Sequence, residues 1–155
     1  MGEISDTPPK TDASTQARAE WMSVLAKAQP ARLAALLPEL PGHQILRAPE
    51  IGAVMVRGRI GGQGAAFNLG EMTVTRCALR LDGGAVGHAM VQGRDRAHAL
   101  RAAVVDALMQ TDPGRTGAAI LTPLRAEARA ARESRAAKAA ATRVEFFTLV
   151  RGEDK

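Results

Sequence analysis

Aromatic side chains are scarce in this chain of 155 residues, which has one Trp, three Phe and no Tyr. Its hydrophobic core must therefore be built from Ala, Val, Leu, Ile and Met, which fill space in smaller pieces. A core of this kind often gains buried area from a partner chain, which hints at assembly. The same scarcity argues against a nucleic-acid-binding module that interleaves aromatic and basic residues.

Cysteine and long apolar runs are also lacking. Cys77 is the only cysteine, so no disulfide can form within the chain and secretion is not needed to explain it. No apolar run approaches the roughly 20 residues of a membrane span. The polar, acidic start MGEISDTPPK differs from a signal peptide. These features predict a soluble cytoplasmic protein with no membrane partner.

Acidic residues are outnumbered, with 16 Asp and Glu against 21 Lys and Arg and a formal net charge of +5. Of the basic residues, 17 are Arg, whose planar side chain binds carboxylates and phosphates bidentately. The charge permits an anionic partner: nucleic acid, a nucleotide or an acidic protein face. High Arg and Ala content also fits a GC-rich genome, so composition leaves the choice open.

The first part of the chain predicts helices. Residues 1–12 are polar and contain Pro8 and Pro9, which predicts a disordered tail. Residues 13–28 predict a helix, and Pro30 suits the first turn of a second, short helix over residues 31–37. One apolar face of the first helix has helical spacing and comprises Trp21, Val24, Leu25 and Ala28.

From residue 43 onward, the hydrophobic residues alternate along the chain and no longer follow helical spacing. Residues 43–48 and 53–59 alternate in character around residues 49–52, which predicts a hairpin. Residues 71–81 and 85–92 predict two further strands joined by an Asp-Gly-Gly turn.

The last third of the chain predicts helices around a loop. A strong helix follows Asp95, its expected N-cap, and stops at residues 112–114. Residues 115–121 are predicted as a loop, residues 123–141 as a long exposed helix and residues 143–150 as an extended segment.

Together these elements predict one α+β domain over residues 13–150, followed by a polar tail over residues 151–155. The expected architecture is an antiparallel meander sheet of about four to five strands packed against helices. An N-terminal helical segment and a long C-terminal helix flank the sheet in the sequence.

Two glycine-containing turns are candidate sites for an anionic substrate. The first combines Arg59 with Gly61, Gly62 and Gly64, whose backbone N–H groups could converge on a phosphate. It is neither a Walker A loop, since no Lys-Ser/Thr follows, nor a dinucleotide fingerprint, since it lies between strands. A turn that needs positive φ is the favoured explanation of these glycines.

The second candidate turn lies where a strand ends and a helix begins, and it comprises Gly93, Arg94, Asp95 and Arg96. Backbone N–H groups at a helix start can hold an anion, and two Arg flank this one. The alternative is that Asp95 caps the helix and both Arg side chains are solvated.

A complete catalytic set is missing from the sequence. The three histidines and Cys77 show no ligand spacing such as H-x₃-H or C-x₂-C, so no metal site is predicted. His88 and His98 are the remaining candidates for a catalytic role, and packing roles explain both. Cys77 in a strand is expected to be a small buried residue. The residues therefore favour a binding or structural subunit over an enzyme.

Several strings, taken together in their order, resemble the phosphonate metabolism protein PhnG family over nearly the whole folded chain. They are Trp21–Ala26, Arg59–Gly64, Phe67–Glu71, Thr73–Arg76, Val91–Asp95, His98-Ala99, Asp106–Gln110 and Arg143–Gly152. One departure is Leu100, which stands where members of the family often have Glu after the His-Ala pair. That departure argues against a catalytic use of this helix face.

The resemblance implies a subunit of the carbon–phosphorus lyase core complex, in which G, H, I and J subunits assemble in paired copies. With the I subunit, and helped by the H and L proteins, such systems transfer a ribose triphosphate unit from ATP to an alkylphosphonate and release adenine. The J subunit later breaks the carbon–phosphorus bond.

Because the transfer chemistry is assigned chiefly to the I subunit, the resemblance implies a mainly structural role for this chain. No cofactor is then expected on this chain alone, since ATP and the alkylphosphonate are substrates of the complex. The competing hypothesis from the residues is a basic module that binds nucleic acid or a nucleotide.

Overall fold

The computed structural model describes residues 13–142, which form an α+β fold. Helices α1 (Ala13–Lys27) and α2 (Pro30–Leu36) come first, and Pro30 is at the start of α2 as predicted. The strands follow as β1 (His43–Arg59), β2 (Ala66–Leu81) and β3 (Val86–Gln92). The last helices are α3 (Arg96–Thr111), α4 (Pro113–Thr116) and α5 (Thr122–Ala141).

In the described residues the sheet has three antiparallel strands in the order β1-β2-β3, which confirms the predicted meander. The strand number is lower than predicted because residues 43–59 form one strand and not a hairpin. The β1–β2 register shifts between Arg47 and Glu50, so a bulge absorbs Pro49. Pro49 is tolerated there because β1 is an edge strand. The extended segment predicted over residues 143–150 lies outside the described residues, as do both predicted tails.

Residues 115–121, predicted as a loop, are helical. Helix α4 passes into a π-helical turn over Gly117–Leu121, which continues directly into α5. Ile120 and Leu121 are both buried in this turn. Burial of these two side chains against the core outweighs the turn signal of Pro113 and Gly114, and Pro113 serves at the start of α4 instead.

The core lies between one face of the sheet and helix α3, with α1 and α2 packed beside α3. Its members are small and aliphatic, as the scarcity of aromatics predicted. Fully buried side chains among them include Leu25, Leu33, Leu79, Val91, Val104, Val105 and Leu121. Of the two aromatic residues in the described part of the chain, Trp21 packs partly against the core and Phe67 is exposed.

Strands β1 and β2 continue well beyond β3. Strand β3 pairs only with residues 74–80 of β2, whereas β1 and β2 stay paired out to Arg59 and Ala66. We call this two-stranded extension, residues 53–73, the β arm. No third strand pairs with this arm in the described residues. A two-stranded ribbon alone is only marginally stable in water.

Within residues 13–142, no helix is both long and apolar enough to cross a membrane.

Candidate functional site

The first predicted anion site lies at the tip of the β arm. Gly61 and Gly62 have φ angles of 60° and 77°, so the turn does need glycine's conformational freedom. The Arg59 guanidinium donates to the Gly64 carbonyl at 2.9 Å and thereby closes the turn. Arg57 and Arg59 line an open recess of about 480 Å³ beside this turn. Its use as an anion site stays a prediction.

The second predicted anion site is the start of α3. The Asp95 carboxylate accepts from the His98 backbone N–H at 2.9 Å, which is the capping role expected for it. A carboxylate therefore already lies where a bound anion would accept from the first N–H groups. Arg94 and Arg96 are exposed on either side.

The structure keeps these two sites apart. The Gly93 N–H donates to the Thr73 carbonyl at 2.9 Å, at the base of the β arm. Arg59 pairs with Ala66 at the far end of the arm. Seven residue steps of β2 separate Ala66 from Thr73, or roughly 23 Å at about 3.3 Å per residue. The two turns therefore cannot hold one small ligand between them.

Of the two candidate histidines, His98 is buried as expected, whereas His88 is exposed, so the packing role predicted for His88 is wrong. His98 Nε2 donates to the Leu25 carbonyl at 2.9 Å and joins α3 to α1, and the Nδ1 atom is buried without a partner in residues 13–142. Burial lowers the pKa of His98 from its ordinary value of 6.5, against the opposing effects of the Leu25 hydrogen bond and Asp95. The ring is thus held neutral, in a position that suits packing.

We expect His98 to make stability depend on pH. In the unfolded chain it binds a proton as the pH falls below about 6.5, whereas the folded chain resists protonation until a lower pH. Acid therefore favours the unfolded state in that window. His98→Gln keeps an N–H for the Leu25 carbonyl but does not titrate. Urea unfolding at about pH 7.5 and about pH 5.5 should show a larger loss of stability for the wild type than for the variant. Equal losses would contradict this assignment.

Cys77 is buried on β2, and burial raises the pKa of its thiol. It pairs with Ala89 of β3, whose side chain cannot act as a base. A buried thiol with a raised pKa is a poor nucleophile. In residues 13–142, no three His, Cys, Asp or Glu side chains cluster as a metal site would require.

The most elaborate polar cluster was missed by sequence reasoning, and it centres on Asp106 of α3. This carboxylate is fully buried. Its Oδ1 accepts from Arg18 Nε at 3.1 Å and from Trp21 Nε1 at 2.8 Å. Its Oδ2 accepts from Arg18 Nη2 at 2.7 Å and from the His88 backbone N–H at 2.9 Å. The cluster joins α1, α3 and β3.

Two features of the sequence could have revealed this cluster. Asp106 interrupts the apolar run of α3, and a charge in such a position needs partners when it is buried. Trp21 is the only Trp, and its indole N–H requires an acceptor when it packs against a core. Each oxygen of Asp106 accepts at least two hydrogen bonds. The carboxylate therefore stabilises the fold and is not available as a base.

Large apolar side chains remain exposed on the β arm. Met55, Ile60, Phe67 and Leu69 are 53%, 76%, 41% and 66% exposed, respectively. Helices pack against one face of the sheet, and on the other face Met90 of β3 is 47% exposed. The strand register places Met55 and Met90 on opposite faces of the sheet. Several exposed large apolar side chains in one arm are typical of a site that binds another protein.

Comparison with known proteins identifies the family. Residues 16–152 match the sequence model of the family described as phosphonate metabolism protein PhnG. The chain belongs to this family. A curated PhnG from Rhizobium meliloti (strain 1021), described as the alpha-D-ribose 1-methylphosphonate 5-triphosphate synthase subunit PhnG, is 44% identical over 147 residues. The alignment covers 92% of this chain and 94% of the relative.

Membership of the PhnG family fits the chemistry of the described residues. The carboxylate with the most partners, Asp106, is saturated, and the buried His98 and Cys77 are held in their neutral forms. The features that remain without a role are exposed surfaces. They are the β arm, the sheet face opposite the helices, and the exposed part of α5. Such surfaces suit a subunit that binds other proteins.

Proposed function

We propose that this chain is a subunit of a ribose 1-methylphosphonate 5-triphosphate synthase in phosphonate breakdown, and that its role is mainly assembly. The proposal is supported above all by the 44% identity to a PhnG synthase subunit over nearly the full length of both chains. In this role the chain supports transfer of ribose 5-triphosphate from ATP to an alkylphosphonate, with release of adenine. The bond-making groups lie on neighbouring subunits.

The proposed partners are the I, H and J subunits of the carbon–phosphorus lyase core complex, with each chain in paired copies. The exposed apolar residues of the β arm support a subunit that completes its fold by association. The arm projects from the sheet with Leu69 66% exposed, and a free two-stranded ribbon gains stability when a partner covers it.

Co-expression tests this proposal. The chain and an I subunit from the same gene cluster should elute together on size-exclusion chromatography, whereas the chain alone should self-associate. Leu69→Glu should reduce the co-eluting fraction at least about ten-fold, because it places a charge in the apolar contact. Ala118→Glu, at an exposed position on the helical side, is the matched control and should assemble normally. A monodisperse monomer that ignores the I subunit would refute the proposal.

The second candidate function is a basic module that binds nucleic acid or a nucleotide. The β arm favours it in one respect, since it carries Arg57, Arg59 and the exposed Phe67, and such modules combine cations with a stacking side chain. This function predicts binding with a steep salt dependence. No binding to single- or double-stranded DNA or RNA at low salt would remove it.

A further inference from the structure

A groove of about 780 Å³ runs between α1 and α5, and its lining includes none of the residues of the predicted anion sites. One wall is formed by three arginines of α5, and the other by α1 residues with Ala19 and Val24 in the lining. The arginines are Arg125, Arg129 and Arg132. They are spaced i, i+4 and i+7, so their side chains share one face of α5 over roughly 10 Å of its axis.

The positive charges in this groove are only partly compensated. Glu20 is the one carboxylate in the lining, so three arginines against it leave a formal charge of +2. In residues 13–142 the ion pairs are Arg18–Asp106, Arg32–Glu127 and Arg47–Glu50, and none involves the groove arginines. Lys27 donates to Ser23 at 3.2 Å and adds a further positive charge beside the groove.

The helix that carries these arginines also lacks packing partners over most of its length. Leu124 is the only residue of α5 that is buried, and the described residues after it are exposed. A helix of 20 residues gains most of its stability from packing in a folded protein. The outer part of α5 therefore presents an open, cationic face with a groove beneath it.

We infer that this groove is a docking site for an acidic helix or extended segment of a partner subunit. Arg binds carboxylates bidentately, and Arg is enriched in protein interfaces. A lining that is part apolar and part cationic suits an amphipathic segment laid lengthwise. A nucleotide is disfavoured, because the arginines are exposed and the lining residues include no glycine turn. This inference rests on the proposed function and names the chemistry of the partner.

Charge reversal tests the inference in the co-expressed complex. Arg129→Glu should reduce co-elution with the I, H and J subunits at least about ten-fold, because a carboxylate would then face the partner's carboxylates. Lys138→Glu is the matched control, with the same change of charge on nearly the opposite side of α5, and it should assemble as the wild type does. Both positions are exposed, so neither variant should lose stability.

Photo-crosslinking identifies the occupant. A benzoylphenylalanine at Ser23, in the groove, should crosslink to an acidic segment of another subunit, and the same group at Ala131, on the other side of α5, should not. A crosslink to residues 1–12 of this chain, or equal assembly of both charge-reversal variants, would overturn the inference while the proposed function stands. So would saturable binding of inorganic triphosphate to the full chain that Arg129→Glu abolishes. Failure of the wild type to assemble at all would overturn both.

Discussion

Replacing Asp106 with Asn is expected to lower the free energy of unfolding by about 3 kcal/mol, the lower end for breaking a buried ion pair. Both carboxylate oxygens accept hydrogen bonds, from Arg18, Trp21 and the His88 backbone N–H. An Asn side chain has one oxygen, so its NH₂ group would face donors in either orientation. The lower end applies because the Arg18 side chain is 34% exposed and can regain water.

Glu127→Gln is the matched control for this prediction, since it also turns a carboxylate paired with Arg into an amide. The Arg32–Glu127 pair is exposed, at 42% and 47% for the two side chains, so its loss should cost less than about 1 kcal/mol. Urea unfolding measures the free energy of unfolding of both variants. If their m-values equal that of the wild type, the variants expose the same surface area on unfolding as the wild type does. Similar costs for the two variants would contradict the role of Asp106 as the junction of α1, α3 and β3.

Gly87→Ala is expected to destabilise the fold by about 3 kcal/mol, because overpacking against backbone cannot be relieved by a side-chain rotation. A Cβ at Gly87 would overlap the Ala103 carbonyl oxygen and press on the Ala107 side chain. This glycine thus lets β3 approach α3 closely enough for the His88 N–H to reach Asp106. The loss of stability should therefore include part of the contribution of the hydrogen bond from the His88 N–H to Asp106.

Gly70→Ala provides the comparison within the sheet. Gly70 lies on β2 in the arm, its φ is not positive, and a Cβ there would meet nothing within 4 Å. We expect a change within about 0.5 kcal/mol, as for other open surface positions. If thermal or urea unfolding gave equal losses for both variants, the close approach of β3 to α3 would not be the cause.

Much of the fold follows from local patterns in the sequence. Helical spacing located α1 and α3, the Asp-Gly-Gly turn located the β2–β3 connection, and Asp95 is the cap it was predicted to be. Pro49 misled the prediction, because alternation broken by proline indicates a turn, whereas an edge strand accommodates the same residue in a bulge. The helical turn at residues 117–121 depends on tertiary burial of Ile120 and Leu121, which local propensity does not contain.

The candidate sites were harder to predict because they depend on long-range contacts. The Arg18–Asp106 bonds join residues 88 positions apart, and the groove arginines follow the α1 residues of the opposite wall by more than 100 positions. The spacing of Arg125, Arg129 and Arg132 places them on one helix face, but such a pattern is typical of a solvated face until the opposite wall is known. The role of Arg59 and Arg94 toward an anion stays a prediction.

The central claim is that this PhnG-family chain organises a synthase without supplying its reacting groups. Adenine release from ATP by the reconstituted complex tests it most directly, with His88→Ala compared against the wild type. The His88 side chain is exposed, so folding and assembly should be unaffected. We predict intact complexes whose rates stay within about two-fold of the wild type. A loss on the order of 100-fold in an intact complex, the scale of a removed general acid or base, would contradict the claim.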